Sequence, residues 1–258
     1  MFAADTLRQA GFGQPRAGEA LVLLASATDF AGEFDDARMM LDDTERSRAS
    51  RLRFARDADT YLVAHALWRT ALCLALGTRH VPLTFSEAGQ PILPGTGFAT
   101  SLSHTGRFIA IAIAIATTIG LDIERDPPRM KLQALAPSIC TPREHAAVMA
   151  LPIDAREDAL LALWTRKEAL LKAHGTGLRT DPATIDADGG IELSCAGHAT
   201  LRIHALDTGP GLKGALAAPL HVETVTTLPL ARVLAMPISP DGLSRSYLQP
   251  IAPGSSHA

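Results

Sequence analysis

Cysteine, net charge and long apolar runs are all scarce in this sequence, and each scarcity excludes something. Cys73, Cys140 and Cys195 are odd in number, far apart and without C-x-x-C spacing, which argues against both a disulfide framework and a structural zinc site. A formal net charge of -3 over 258 residues gives no bulk reason to expect nucleic acid or an anionic membrane as partner, so any basic site must be local. The longest apolar run, residues 108–116, is too short to span a bilayer, and residues 1–10 lack the basic start and apolar block of a secretory signal. These absences lead to the expectation of a cytoplasmic protein with no membrane and no nucleic-acid partner, acting as a monomer. What is present is ordinary for a globular chain, 47% hydrophobic and 20% charged, with enough length for one large domain or two modest ones.

Residues 1–18 are rich in Gly, Ala and Pro and are expected to be loosely held. Residues 21–24 read as a short buried strand, and residues 41–77 as helical, ending at Gly77. This helical region opens with Arg46, Arg48, Arg51 and Arg53, which cannot share one narrow stripe. They make either a solvated surface or an anion site suited to the planar guanidinium fork. Gly89-Gln90-Pro91 is a turn by composition. Residues 108–116 alternate Ile and Ala and predict a central strand covered on both faces. After Thr117-Thr118 the chain is expected to return along residues 119–124 as the second arm of a β-hairpin, with His104 just ahead of the first arm.

That second arm, Ile119-Gly120-Leu121-Asp122-Ile123-Glu124, puts two carboxylates on one face of a strand and Leu121 with Ile123 on the other. Two adjacent acids raise each other's pKa and call for a cation between them, unless they are a solvated strand edge. Further on, Thr141-Pro142-Arg143-Glu144 looks like a helix start, and residues 155–174 form a strong helix with an Asp154/Glu157 capping pair and Gly175 as its stop. On it Leu161, Trp164, Glu168 and Leu171 share a face, so a carboxylate interrupts or edges an apolar stripe. Lys172, four residues on, could pair with Glu168 as a surface ion pair, while Lys167 points about 100° away. Residues 177–226 read as an antiparallel meander and residues 237–258 as a Pro-, Ser- and Gly-rich tail. The fold class expected is α+β, in two pseudo-symmetric subdomains that each pack helices on an antiparallel sheet, with a cleft between them. The divisions are residues 1–124, 125–240 and a flexible tail at 241–258.

The G-x-D-x-E strand at Gly120–Glu124 and the W-x-x-K-E-A-x-x-K helix at Trp164–Lys172 together resemble the paired signature of the 4′-phosphopantetheinyl transferases, surfactin-synthetase-activating type. Ser103-His104-Thr105-Gly106 is similar to the family's S-H-S-G segment, Gly89-Gln90-Pro91 to its G-K-P turn, the arginine-rich opening with Arg69 to its basic opening, and Thr141 to Glu144 to its intervening motif. The resemblance covers about residues 41–180, in order and spacing.

It implies a magnesium-dependent enzyme that transfers 4′-phosphopantetheine from coenzyme A to a serine of an apo acyl- or peptidyl-carrier protein, releasing adenosine 3′,5′-bisphosphate. By the same resemblance Asp122, Glu124 and Glu168 hold Mg²⁺; Glu168 takes or positions the serine proton, with Lys167 as rival; Lys172 lies on the pyrophosphate; and Arg48, Arg53, Gln90, Ser103 and His104 contact coenzyme A. The sequence departs from the family at Gln90, where a lysine is usual, and at Thr100-Ser101, where Phe-Asn is usual. Its arginines are also shifted in register. An alternative is a non-catalytic module of the same fold that binds coenzyme A or the carrier without turnover. A magnesium phosphotransferase acting on nucleotides fits less well, because no Walker-type glycine loop is present. Charge alone points to a strip near Arg143 and Arg156 for carrier docking.

Overall fold

Gly106, with φ 57°, turns the chain between two eight-residue strands of the N-terminal half, so the hairpin forms there and not at Thr117-Thr118. In the computed structural model, which describes residues 1–128, 130–187 and 191–230, the chain runs through α1 (Ala4–Gln9), β1 (Glu19–Ser26), α2 (Phe34–Met40), α3 (Asp43–Ser50) and α4 (Ala55–Leu76). Next come β2 (Thr84–Phe85), β3 (Pro91–Ile92), β4 (Phe98–Thr105), β5 (Phe108–Ile115) and β6 (Gly120–Arg125). The C-terminal half adds α5 (Ala136–Ile139), α6 (Pro142–Ala150), α7 (Arg156–His174), β7 (Glu192–Leu193), β8 (Leu201–Ala205), β9 (Leu212–Pro219) and β10 (Thr224–Pro229).

Two four-stranded sheets result, in the orders β10-β1-β5-β4 and β6-β9-β8-β7. All pairings are antiparallel except β1 with β10, which is parallel. The α+β class holds. The expected β5–β6 hairpin does not form: β5 pairs with β1 and β4, and β6 pairs with β9. Alternation shows which residues share a face but not which strand is the neighbour, and Thr-Thr has no residue suited to positive φ in a tight turn. The chain therefore crosses between the sheets at residues 116–119, ahead of the division expected at 124, and β10 returns to the first sheet. His104 consequently lies inside β4 rather than before a strand. The expected tail at 241–258 lies outside the described residues.

The two faces of β5 explain how the halves meet. Ile109, Ile111 and Ile113 join the core built with Leu62, Val63, Leu67 and Trp68 of α4. Ala110, Ala112 and Ala114 join a second core that contains Leu121 and Ile123 of β6 and Leu216 of β9. The small alanines let the second sheet pack closely, and burying Leu121 and Ile123 turns Asp122 and Glu124 to the opposite face. On that face Gly120 admits α7: a Cβ there would sit 2.0 Å from the Ala169 carbonyl oxygen and 2.3 Å from the Ala173 nitrogen. This close contact sets β6 against the helix that carries Glu168 and Lys172.

Several local expectations change. Residues 1–18 are anchored, not loose: Phe2, Leu7 and Phe12 are buried in the first core, and the Thr70 hydroxyl donates to the Phe2 carbonyl at 2.9 Å. Residues 177–179 and 182–184, inside the segment expected to be a meander, form 3₁₀ turns. Helix α7 begins without a side-chain cap, since Glu157 accepts instead from the backbone N–H groups of Leu132 and Gln133 at 2.9 and 3.2 Å.

Asp42 and Glu45 form a capping box on α3, and Glu45 is also buried between His65 Nδ1 at 2.9 Å and Arg69 Nε at 2.8 Å. Burial alone would raise its pKa, but the His65 and Arg69 hydrogen bonds overcome this and bring it down to about 2. Because the folded value lies below the ordinary 4.5, Glu45 contributes stability that is present above pH 4.5 and is lost as pH falls from 4.5 toward 2. Glu45→Gln is expected to flatten that segment of the curve of unfolding free energy against pH. Urea titrations at pH steps between 5 and 2.5 would show it, and an unchanged slope would refute the assignment.

Candidate active site

Strands β4 and β6 lie side by side with no backbone ladder between them, and alternate hydroxyls of β4 take its place. The Leu121 N–H donates to Ser101 Oγ at 3.0 Å and the Ile123 N–H to Ser103 Oγ at 3.3 Å, while the Thr105 hydroxyl donates to Glu124 Oε2 at 2.9 Å. Every second residue of β4 from Ser101 to Thr105 thus bonds β6, which fixes the acids of one half against the other half. Ser101, where the resemblance expects Asn, serves this seam.

Asp122 is buried. Its Oδ1 accepts from Lys172 Nζ at 2.7 Å and from the Ser103 hydroxyl at 3.2 Å, and Lys172 also reaches Ser103 Oγ at 3.2 Å. Asp122 Oδ2 and Glu168 Oε1 are buried oxygens with no hydrogen-bond partner. An unpartnered buried carboxylate oxygen is costly, and two in one site are oxygens that a cation could use as ligands. The three acids agree electrostatically. Burial raises the pKa of Asp122 against the opposing pull of Lys172 and Ser103. Burial and then the Asp122 charge raise Glu124, and burial, Asp122 and Glu124 raise Glu168. One ammonium does not neutralise three carboxylates. Among the described residues no group of three or more His, Cys, Asp or Glu side chains closes into a ready-made metal cage. An all-oxygen, open arrangement of this kind fits Mg²⁺, which takes one or two carboxylates and fills the remaining positions with water and substrate phosphate.

The acids face a cleft of about 750 Å³ between the halves, within the usual range for small-molecule sites. Arg48, Gln90, Ser103, His104, Asp122, Glu124, Glu168 and Lys172 all line it. His104 stands on its wall with its pKa lowered by desolvation and then by the positive neighbours His65 and Lys172. The structure thus brings together most of the residues singled out in the sequence; Lys167 and Arg53 do not line the cleft, and Gln90 lines it with its amide nitrogen engaged by protein.

Lys167 does not face the cleft. It is fully buried in the C-terminal half, where its ammonium donates to Glu144 Oε2 at 2.5 Å, the Ile139 carbonyl at 2.7 Å and the Pro182 carbonyl at 3.1 Å. All three donors of its ammonium are thus engaged by protein acceptors. Arg53 is exposed beside the Phe54 ring, 5.3 Å from its centroid, and does not line the cleft, whereas Arg48 lines it above the Tyr61 ring. Gln90 turns its amide nitrogen into protein, donating to the Ala173 carbonyl at 2.8 Å.

Other basic groups are also engaged. Arg69 is held by Glu45 and Asp42, Arg46 by Asp43 and the Leu41 carbonyl, and Arg51 by the Ser47 hydroxyl. The strip near Arg143 and Arg156 is less open than charge suggests. Arg143 makes a two-pronged pair with Asp186 at 3.0 and 2.9 Å, and Arg156 donates to the backbone carbonyls of Leu151 and Met149.

Sequence reading missed an aromatic wall. Tyr61, His65 and Trp68 line the cleft from one face of α4, with the Tyr61 and His65 rings stacked at 4.0 Å and Phe85 edge-on to Trp68 at 6.2 Å. Their spacing of i, i+4 and i+7 was a helical-face signal that could have found them.

Residues 118–212 match the family model described as the 4′-phosphopantetheinyl transferase superfamily. The chain is 31% identical over 153 residues to the 4′-phosphopantetheinyl transferase HetI of Nostoc sp., a match covering 57% of this chain and 64% of that protein. It is 30% identical over 151 residues to a 4′-phosphopantetheinyl transferase of Bacillus subtilis, covering 57% of this chain and 66% of the relative. It is 26% identical over 200 residues to the 4′-phosphopantetheinyl transferase Sfp of Bacillus subtilis, covering 74% and 88%. The chain spans slightly less than two thirds of the length of the first two relatives.

Proposed function

We propose that this chain is a member of the 4′-phosphopantetheinyl transferase superfamily and transfers the 4′-phosphopantetheine group of coenzyme A to a serine of an apo acyl- or peptidyl-carrier protein. The observation that carries this reading is the acid set of β6 and α7, with two unpartnered buried oxygens, facing a cleft that also presents Arg48, His104 and Lys172. In the reaction a bond forms from the carrier serine Oγ to the phosphorus bearing pantetheine, and the bond from that phosphorus to the adenosine 3′,5′-bisphosphate oxygen breaks.

Each cleft residue then has a task. Glu168, its pKa raised and one oxygen free, is the group placed to take the serine proton. Lys172 stabilises charge that grows on the pyrophosphate oxygens, and Arg48 with His104 holds the phosphates of coenzyme A. Asp122, Glu124 and Glu168 are the residues that would hold magnesium, and bound magnesium supplies charge neutralisation and alignment for in-line displacement. Tyr61, His65 and Trp68, largely buried, shape the wall of the same cleft.

One chain supplies both walls, which supports a monomer as the acting unit. Three buried free cysteines support a reducing, cytoplasmic setting. Among the described residues no helix is long and apolar enough to cross a membrane.

Incubation with coenzyme A, Mg²⁺ and a panel of apo carrier proteins, followed by mass measurement of the carriers, is the test. The expected result is a gain of one phosphopantetheine on at least one carrier that disappears when the metal is chelated. No gain across a broad, folded panel would reject the transferase reading. Coenzyme A binding by calorimetry alongside that negative result would select the non-catalytic module.

A further inference from the structure

Where the resemblance expects a lysine against the substrate phosphates, this chain has a neutral Gln90, and its contacts are with protein. Its Nε2 donates to the Ala173 carbonyl at 2.8 Å, the Lys172 carbonyl at 3.3 Å and Thr118 Oγ1 at 3.1 Å. These carbonyls belong to the last turn of α7, where helical partners run out and the helix dipole favours a donor. Access to that turn depends on Gly175, the helix stop at φ 66°, because a Cβ there would lie 2.5 Å from Gln90 Oε1. Gln90 itself is fixed by the β2–β3 turn, where its N–H donates to the Ser86 hydroxyl at 3.1 Å and its carbonyl accepts from the Ser86 N–H at 2.9 Å. From the opposite side Thr118 donates to the Ala173 carbonyl and Gly120 abuts Ala169 and Ala173. The end of α7 is therefore held between β6 and a turn of the N-terminal half.

We propose that Gln90 is a positioning residue that acts through Lys172: it locks the last turn of α7 so that the ammonium meets Asp122 and Ser103, and it is not a ligand of coenzyme A. The proposal rests on the transferase reading for its kinetic consequence, and on contacts within this chain for the rest. Lys172 extends from the turn whose carbonyls Gln90 occupies, and its 2.7 Å contact with Asp122 spans the two elements being fixed. A shift of that turn by a fraction of an ångström moves the ammonium relative to the substrate, and errors of this size lower turnover without altering binding uniformly.

The test compares wild type with Gln90→Leu, which removes the donor, and Gln90→Lys, which returns one at similar reach. Gln90→Leu is expected to lower kcat about tenfold with the KM for coenzyme A within about twofold, and Gln90→Lys to restore most of the loss. Amide hydrogen exchange on the protein alone is expected to speed up across residues 172–176 in Gln90→Leu and to return toward wild type in Gln90→Lys. If Gln90→Leu instead raises KM with kcat unchanged, or leaves exchange in that turn unaffected, the proposal is overturned. If wild type modifies no carrier but the exchange pattern holds, the positioning contact stands and the transferase reading fails.

Discussion

Asp122→Asn is expected to abolish phosphopantetheine transfer, by about a thousandfold or more at saturating coenzyme A and Mg²⁺, while leaving the protein folded and no less stable. The two effects separate because Asp122 does two things. Its Oδ1 is a structural acceptor for Lys172 and Ser103, a role that an asparagine carbonyl keeps. Its Oδ2 is buried without a partner, which costs stability in the protein alone and is useful only when a cation arrives. Asparagine puts an N–H donor where that cation would sit, so metal is repelled rather than merely unassisted. Burial already holds the carboxyl pKa above its ordinary value, so removing the charge relieves the fold. The thermal midpoint is therefore expected to stay level or rise, and Mg²⁺ is expected to raise the midpoint of wild type but not of the variant. Transfer within tenfold of wild type would show that the cation is held elsewhere. Retained coenzyme A binding by the inactive variant would locate the loss in chemistry and not in substrate capture.

The acids were legible because strand alternation needs no tertiary information: Leu121 and Ile123 had to be buried together, which left Asp122 and Glu124 together on the other face. Glu168 was legible for the same kind of reason, as a carboxylate on an apolar helical face. The ion pairing was not. Within a helix, Glu168 and Lys172 are the natural couple at i, i+4, yet Lys172 reaches across to Asp122. That choice follows from the approach of α7 over Gly120, a contact between elements nearly fifty residues apart in sequence. The β4–β5 hairpin and the return of β10 to the first sheet were hidden similarly, since alternation carries no information about strand order. Gln90 shows the same limit from another side. The motif indicated a place beside the substrate, and Gln90 does line the cleft, but a neutral amide at a helix C-terminus bonds the carbonyls it finds there.

Lys167 gives the other large effect, and it is expected in stability rather than chemistry. Lys167→Met should destabilise the protein by about 3–5 kcal/mol, because it leaves Glu144 as a buried charge without its counter-ion and the Ile139 and Pro182 carbonyls without a donor. Glu144 cannot escape to water. It also accepts from the Thr141 N–H at 2.7 Å and the Ala187 N–H at 2.6 Å, so it ties together the start of α6 and the segment after the 182–184 turn. Adding Glu144→Gln to Lys167→Met removes the stranded charge while keeping an acceptor for one of those N–H groups. The double variant is therefore expected to be more stable than Lys167→Met alone, a coupling that urea unfolding would measure. The pair also sets the rotation of α7: with Lys167 directed into the C-terminal core, Glu168, about 100° around the helix, is directed to the cleft. At a temperature where Lys167→Met remains folded, kcat per folded molecule is expected to stay within about threefold of wild type, whereas loss of a general base removes about a hundredfold or more. A fall of that size with stability intact would return Lys167 to the chemistry and leave its three contacts in the core as a resting arrangement.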